Sequence, residues 1–250
     1  MIAHAKPSTN GASTPASPQS ANHLLAVVDA AEFELLRPHL TTVELHSKEI
    51  LWEANRPIEA VYFPHNGVAS LVALAAGDIA VEVGSVGCEG MVGLPVLFGS
   101  ESSVSRAIVQ IAGQADRMDA AVLTREAMRH ASLRRALYLY AQGFVTQISQ
   151  STACNRLHSA EQRLARWLLI CRDRTGNDDL PMTHETMALM LGVRRATITE
   201  SAGLLQRRGM IRYRRGLVSV LDRVGLEATA CECYDIVRNE FDRLLGVRVG

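Results

Sequence analysis

Seven arginines lie close together in the second half of the chain. They are Arg194, Arg195, Arg207, Arg208, Arg212, Arg214 and Arg215. Between positions 182 and 215 only Glu185 and Glu200 oppose them, so this segment has a net charge of +5. Guanidinium groups neutralise phosphates and form paired hydrogen bonds with the edge of guanine. The cluster predicts contact with a polyanion, and a solvated helix face is the alternative.

The distribution of charge favours the polyanion. The 250 residues sum to zero, yet residues 23–122 carry a net charge of −8 and residues 123–250 a net charge of +7. An acidic half joined to a basic half indicates that the basic half meets the polyanion.

The residues around the arginines indicate which elements position them. Thr183 can cap a helix, Gly192 suits a tight turn, and a second helix is expected from about Arg194 to Arg208. The run from Arg212 to Asp222 predicts two short strands around an Arg-Gly tip. Helix, turn, helix and basic hairpin in this order are typical of a winged helix-turn-helix that binds duplex DNA.

Composition is that of a globular protein, with 48% hydrophobic and 21% charged residues. No apolar run approaches the roughly 20 residues of a membrane span. Residues 1–22 lack an apolar centre, so we expect a disordered tail and no secretion signal.

The five cysteines include no CxxC pair, which argues against a disulfide framework and favours the cytoplasm. They are Cys88, Cys154, Cys171, Cys231 and Cys233.

The first half of the chain alternates between short apolar runs and turn residues. A helix or helix pair is predicted over Leu24–Leu40, and short strands follow as far as Leu123. The predicted strands are Thr42–Leu45, Ala60–Phe63, Val68–Leu74, Ile79–Val83 and Ala107–Ile111. Short strands at this spacing predict a β-sandwich or β-roll.

Helical character returns at Thr124 and continues to about Arg174. One apolar stripe within it repeats at spacings of three and four, as in a coiled coil. Its members are Leu133, Leu137, Ala141, Phe144 and Ile148. A second copy of the chain would bury this stripe, and so would packing on the chain's own roll. We expect a dimer interface, largely because of the following resemblance.

Several motifs resemble those of the Crp/Fnr family of bacterial transcription regulators. The specific ones are Met182-Thr183-His184-Glu185, the run from Met190 to Thr199, and the run from Leu204 to Ile211. Looser ones are Val61–Pro64, Gly67–Ser70 and Gly87–Gly93. The resemblance, which covers about Leu24 to Leu226, implies an α+β fold. An N-terminal, jelly-roll-like β-roll sensor domain (23–123), a central dimerisation helix region (124–157) and a C-terminal winged helix-turn-helix with a last helix (158–250) would follow the tail.

The resemblance also implies partners and residue roles. A homodimer would place the second helix of each motif in the major groove at half of a palindromic site, and RNA polymerase is expected as a further partner. Candidates for the groove are Arg194, Arg195, Thr197 and Thr199, with Arg195 best suited to a guanine edge. Expected phosphate contacts are Arg207, Arg208, Arg214 and Arg215. Ala196 and Glu200 depart from the best-known members, so we expect a different half-site.

The effector pocket implied for the roll lacks the charged groups of members that bind cyclic nucleotides. Its residues would be Val92, Gly93, Leu94, Val104, Ser105 and Arg106. Leu94 stands where those members hold ribose with a Glu, and Val104 where they hold the cyclic phosphate with an Arg. Without these charge-assisted contacts we expect no standard binding of cyclic AMP or cyclic GMP. The effector stays unknown.

No metal or cofactor is assigned from the sequence. The cysteines are too sparse along the chain for an iron–sulfur cluster, so Cys231 and Cys233 are interpreted as structural or incidental thiols. The alternative function is a metal-dependent, cupin-like enzyme on the β-roll. Such a site needs two or three histidines and a glutamate that converge on one ion, whereas the roll has only His46 and His65. We therefore expect no catalysis.

Overall fold

The computed structural model describes residues 20–75 and 79–246. Its first half is a roll of two antiparallel sheets, with strand orders β1-β7-β3 and β2-β6-β4-β5. The strands are β1 Thr41–Leu45, β2 Ile50–Trp52, β3 Ala60–Pro64, β4 Val68–Ala75, β5 Ile79–Val86, β6 Ser105–Ile111 and β7 Gly113–Asp119. All five predicted strands are present. The fold class predicted from the sequence is confirmed.

Helices precede and follow the roll, and one short helix, α3, lies between β5 and β6. They are α1 His23–Ala26, α2 Ala30–Leu36, α3 Leu94–Leu97, α4 Ala120–Arg129, α5 Ala131–Leu157 and α6 Ala160–Thr175. The capping box of Ser159 and Gln162 opens α6, and Gly176 closes it in the left-handed conformation. Within the described residues, no helix combines the length and apolar character that crossing a bilayer requires.

The C-terminal part has the order expected of a winged helix-turn-helix. Its elements are β8 Asp179–Pro181, α7 His184–Leu191, α8 Arg195–Arg207, β9 Ile211–Arg214, β10 Leu217–Val220, α9 Arg223–Thr229 and α10 Cys233–Leu245. The three strands form one sheet in the order β8-β10-β9. This sheet and α6, α7 and α8 surround a second apolar core, called the winged core below.

The predicted tail includes three residues that belong to the fold. Asn22 is fully buried, and its side-chain amide donates to the carbonyls of Pro64 and Gly90 at 2.8 and 2.9 Å. Its Oδ1 accepts from the amide of Leu25 and so caps α1. The tail assignment was therefore wrong for residues 20–22, and the rest of the tail lies outside the described residues.

The long helix α5 packs on its own roll. Tyr140 is fully buried and donates to the carbonyl of Met91 at 3.0 Å. The last helix, α10, lies along α5, where the Phe241 ring covers Gly143.

The stripe expected to form the dimer interface is turned into this core. Leu133, Leu137, Ala141 and Phe144 are buried among roll residues, and Ile148 packs against the same cluster. The prediction that these five side chains pair with a second copy was therefore wrong. The chain's own roll and α10 bury the stripe, as the alternative interpretation held.

The C-terminal part of the chain from α6 to α10, residues 160–245, is called the winged half, and it packs directly against the roll. Helix α7 contacts β5, and Val68 and Ile111 of the roll belong to the apolar core that is otherwise formed by the winged half. The Trp167 indole on α6 donates to Glu82 on β5 at 3.3 Å. These contacts fix the position from which the helix-turn-helix presents its arginines.

Candidate nucleic-acid interface

Helix α7 begins and ends at the residues that the sequence indicated. The Thr183 hydroxyl accepts from the amide of Thr186 at 3.1 Å and so caps the first turn. Gly192 ends the helix at φ 62°, a conformation in which a side chain is strained. Val193 packs against the winged core, as expected for a residue at the angle between two helices. The turn then delivers the chain to α8 within two residues.

Helix α8 has one buried and one exposed face. Ile198, Ala202 and Leu205 are buried against the winged core. Arg195 and Thr199, one turn apart, are exposed on the other face. The helix therefore offers the side chains of its first two turns to solvent, in the position from which a recognition helix enters a groove.

The predicted groove residues gather at the start of α8. Arg194 is the N-cap residue and Arg195 the first helical residue, and both side chains are exposed. Thr199 is exposed, whereas Thr197 is half-buried. Free amides at a helix N-terminus attract anions, which adds to the charge of the two guanidiniums.

A hairpin next to α8 forms the wing. Strands β9 and β10 pair so that Arg214 lies opposite Leu217, which leaves a turn of two residues, Arg215 and Gly216. Both have positive φ, 50° and 80°, as a type I′ turn requires. Arg214 and Arg215 are exposed at this tip, and Arg212 is exposed on the same hairpin.

His184 connects the two helices to the wing. Its ring stacks on Tyr213 of β9 with centroids 4.0 Å apart, and Nδ1 lies 3.1 Å from the Thr199 hydroxyl on α8. Partial burial, together with the charge of Arg195, lowers the pKa of His184 below its ordinary value. A neutral imidazole therefore holds the recognition helix against the wing.

The two arginines at the end of α8 differ in their surroundings. Arg207 is exposed, and its guanidinium lies over Gly203. Arg208 is also exposed, but it forms an ion pair with Glu161 of α6 at 2.6 Å. Of the two, Arg207 is the more available for a phosphate.

Comparison with known protein families identifies this part of the chain. Residues 162–229 match the family model of the Crp-like helix-turn-helix domain. These residues form a Crp-like helix-turn-helix domain. The match begins in α6 and ends in α9, so it contains both helices of the motif and the wing. A search of curated protein sequences found no match to the chain.

Solved structures share the fold of about three quarters of the chain. FixK2 from Bradyrhizobium japonicum superposes with a TM-score of 0.65 at 16% identity, over 77% of this chain and 98% of that one. A CRP-family transcriptional regulator from Thermus thermophilus, TTHB099, gives 0.62 at 19% identity, over 75% and 96%. The c-di-GMP responsive regulator CLP from Xanthomonas campestris gives 0.60 at 16%, over 77% and 99%.

The Crp-like domain and the shared fold confirm the resemblance found in the motifs. The chain therefore contains a Crp-like helix-turn-helix domain, and most of it has the fold of these solved structures.

The residues expected to form an effector pocket lie in different places. Val92 and Leu94 are packed in the core of the roll, whereas Val104 is 80% exposed. Arg106 forms an ion pair with Glu53 at 2.7 Å and lines a groove between β6 and α7. Gly93, at φ 124°, starts the short helix α3, and the Ser105 carbonyl accepts from the Trp52 indole. The six residues therefore differ in their burial and in their partners, and the effector pocket stays a prediction.

Two groups of residues were missed by the sequence analysis. Arg174 of α6 and Glu89 of the roll form a buried ion pair between the two halves. Cys154, His158, Cys231 and Cys233 meet near the end of α5, with ligand atoms within 4.8 Å of one another. The spacing of Cys154 and His158, four residues apart on a helix, and the CxC pair were the signals available.

Proposed function

We propose that the protein is a homodimeric, sequence-specific transcription regulator that acts in the cytoplasm on a palindromic DNA site and responds to a signal received in the β-roll. The observation that carries this proposal is the exposed pair Arg194 and Arg195 at the start of α8, beside a basic wing.

Direct contact with bases is assigned to the start of α8. An arginine at the first helical position can reach a guanine edge with two parallel hydrogen bonds, and we assign this role to Arg195. Arg194, Thr197 and Thr199 would complete the contacts in the groove. Thr197 is half-buried and would contribute least.

Contacts to phosphate are assigned to the flanking arginines. Arg214 and Arg215 extend from a tight hairpin, so the wing can lie along the backbone beside the groove. Arg207 would contact phosphates on the opposite side of the groove. Arg208 would first have to leave Glu161.

A second copy of the chain is proposed to pair along the exposed face of α5. Because the predicted stripe is buried, the partner must meet the remaining face, on which exposed residues repeat at alternating spacings of three and four. They are Arg135, Tyr138, Gln142, Val145, Ser149 and Thr152. This is the repeat of a two-stranded coiled coil with a largely polar seam. The helix of 27 residues offers about 40 Å of length for the contact.

Gating is proposed to act on the contact between the roll and the winged half. A signal can change DNA affinity only by binding two arrangements of these halves with different affinity. The buried ion pair of Arg174 and Glu89, together with the packing of α7 on β5, defines one arrangement. Loss of these contacts would define the other. RNA polymerase is the proposed partner of the DNA-bound form.

The signal is proposed to be other than cyclic AMP bound in the family's usual manner. The positions that would hold the ribose and the phosphate are the buried Leu94 and the exposed Val104, neither of which carries charge. The cupin-like alternative gains no support, because His65 forms a pair with Asp116 at 2.9 Å while His46 is exposed.

The test is DNA binding by the purified full chain to fragments of its own promoter region. We expect a dimer in sedimentation or light scattering, protection of two half-sites about one helical turn apart, and an affinity that falls steeply as salt is raised. A chain that shows no affinity for any of these fragments at low ionic strength would disprove the proposal. A monomer that binds DNA would disprove the dimer alone.

A further inference from the structure

Four side chains with metal-binding atoms meet where the end of α5 approaches the start of α10. Cys154 is fully buried on α5, and His158 follows one turn later. Cys231 and Cys233, also buried, precede and begin α10. One atom from each side chain lies within 4.8 Å of the other three.

The distances fit a tetrahedral site. The sulfurs of Cys154 and Cys231 are 3.4 Å apart, and the sulfur of Cys233 lies 3.6 Å from Nδ1 of His158. In a zinc site with bonds of about 2.3 Å to sulfur and 2.0 Å to nitrogen, ligand atoms are separated by roughly 3.5–3.8 Å. A single ion can therefore occupy the centre with small adjustments. Three thiolates and one imidazole are a ligand set that zinc prefers.

The histidine is already oriented for this role. While Nδ1 of His158 faces Cys233, Nε2 lies 3.2 Å from a carboxylate oxygen of Glu232. A carboxylate that accepts from the second ring nitrogen fixes the tautomer whose free nitrogen binds metal.

Two buried arginines accompany the cluster. Arg163 and Arg166 of α6 interact electrostatically with Cys154. Among the described residues, the Nε atoms of both side chains have no hydrogen-bond partner although they are buried. A zinc ion with three thiolates carries one net negative charge, so these guanidiniums would offset it. The cluster thus has the charge that a thiolate site needs around it.

We propose that Cys154, His158, Cys231 and Cys233 form a structural zinc site that joins the end of α5 to the start of α10. All four ligand positions come from the protein, so the ion has no open position for a substrate. Its effect would be to hold the end of the central helix against the last helix. This proposal does not depend on DNA binding.

The test is metal binding by the reduced full chain after removal of metal with a chelator. We expect one Co²⁺ per chain, with the visible bands of tetrahedral cobalt and the near-ultraviolet band of thiolate ligands, and displacement by one Zn²⁺. Zn²⁺ should also raise the thermal midpoint of the metal-free protein. Cys233→Ser should abolish the tetrahedral spectrum, and His158→Cys should retain it. Glu232→Gln should weaken zinc affinity about 10-fold.

The matched control is Cys88→Ala, which removes a buried thiol outside the cluster and should leave metal binding unchanged. Two results would overturn the proposal. One is the absence of a stoichiometric tetrahedral cobalt spectrum in the folded, reduced wild-type chain. The other is a disulfide between Cys154 and Cys231 that forms and persists in the presence of excess Zn²⁺, which would make the cluster a redox pair.

Discussion

The guanidinium of Arg174 lies 2.6 Å from a carboxylate oxygen of Glu89, and both side chains are almost completely buried, 4% and 2% exposed. Arg174 belongs to α6 of the winged half and Glu89 to the roll. The same guanidinium donates to Ser85 Oγ at 2.7 Å and to Gln147 Oε1 of α5 at 3.0 Å. One side chain therefore connects the roll, the central helix α5 and the helix-turn-helix domain.

Glu89→Gln should destabilise the protein strongly, because it leaves the Arg174 charge buried without a counter-charge. We expect the free energy of unfolding to fall by about 3–5 kcal/mol. The control is Glu161→Gln, which removes the partly exposed ion pair with Arg208 and should cost less than about 1 kcal/mol. Urea denaturation of both variants makes the comparison. Equal losses would mean that burial of the Arg174 pair has no energetic consequence.

Arg195→Ala and Arg207→Ala should differ in their effect on DNA. The first should cost about 1–3 kcal/mol and relax the base preference at one position of each half-site. The second should weaken binding to all sequences alike. It should also reduce the slope of the logarithm of affinity against the logarithm of salt concentration by about one. Binding to a set of single-base variants of the site, at several salt concentrations, separates the two effects. An unchanged base preference in Arg195→Ala would remove Arg195 from the groove.

Val145→Glu should weaken the dimer, because it places a charge at the centre of the exposed seam of α5. Val145 is 54% exposed in the single chain, so the folded monomer should tolerate the change. Val224→Glu is the control, since Val224 is 74% exposed on α9, away from α5. Sedimentation equilibrium should show a monomer only for Val145→Glu. A Val145→Glu protein that is still fully dimeric would place the interface elsewhere.

The stability of the protein should depend on pH through His184. Its pKa is lowered in the folded state by burial and by Arg195. As the pH falls below about 6.5, the unfolded chain takes up a proton that the folded chain resists, so stability is present above this pH and is lost below it. His184→Gln should reduce this loss, measured as the urea midpoint against pH. An unchanged loss in His184→Gln would show that another group is responsible for it.

Two helical glycines should respond in opposite directions to alanine. A Cβ at Gly203 of α8 would meet only the flexible end of Arg207, at 3.3 Å. Gly203→Ala should therefore stabilise the protein by about 0.5–1 kcal/mol. At Gly143 of α5 a Cβ would lie 2.7 Å from the Phe241 ring, so Gly143→Ala should destabilise by about 1–3 kcal/mol. Thermal midpoints measure both, and a destabilised Gly203→Ala would show that α8 needs its glycine.

Local signals allowed the helix-turn-helix to be predicted from the sequence nearly to the residue. Thr183 caps α7, Gly192 ends it, and Arg215 with Gly216 forms the tip of the wing. Each of these conformations is determined by neighbours in the chain. Strand β7, Gly113–Asp119, was missed because its polar residues, such as Gln114 and Arg117, do not alternate with apolar ones.

Contacts between residues far apart in the chain could not be predicted from such local signals. The spacing of Leu137 and Phe144 predicts an apolar stripe, but a second copy and the chain's own roll would bury it equally well. Similarly, Cys154 and Cys231 are 77 positions apart, and only the packing of α10 on α5 brings them together. The implied effector pocket depends on such contacts too, because matching positions in a sequence does not fix which side chains face one another.

The shared apolar core of the two halves relates the energy of separating them to the selectivity that a separating signal would need. Val68 and Ile111 are almost completely shielded from water by the winged half and the roll together. Exposing both would cost up to about 3–6 kcal/mol. A messenger that separates the halves must therefore prefer the separated form by up to roughly 10²–10⁴-fold in dissociation constant. A messenger with equal affinity for both forms could not separate the halves, however tightly it binds.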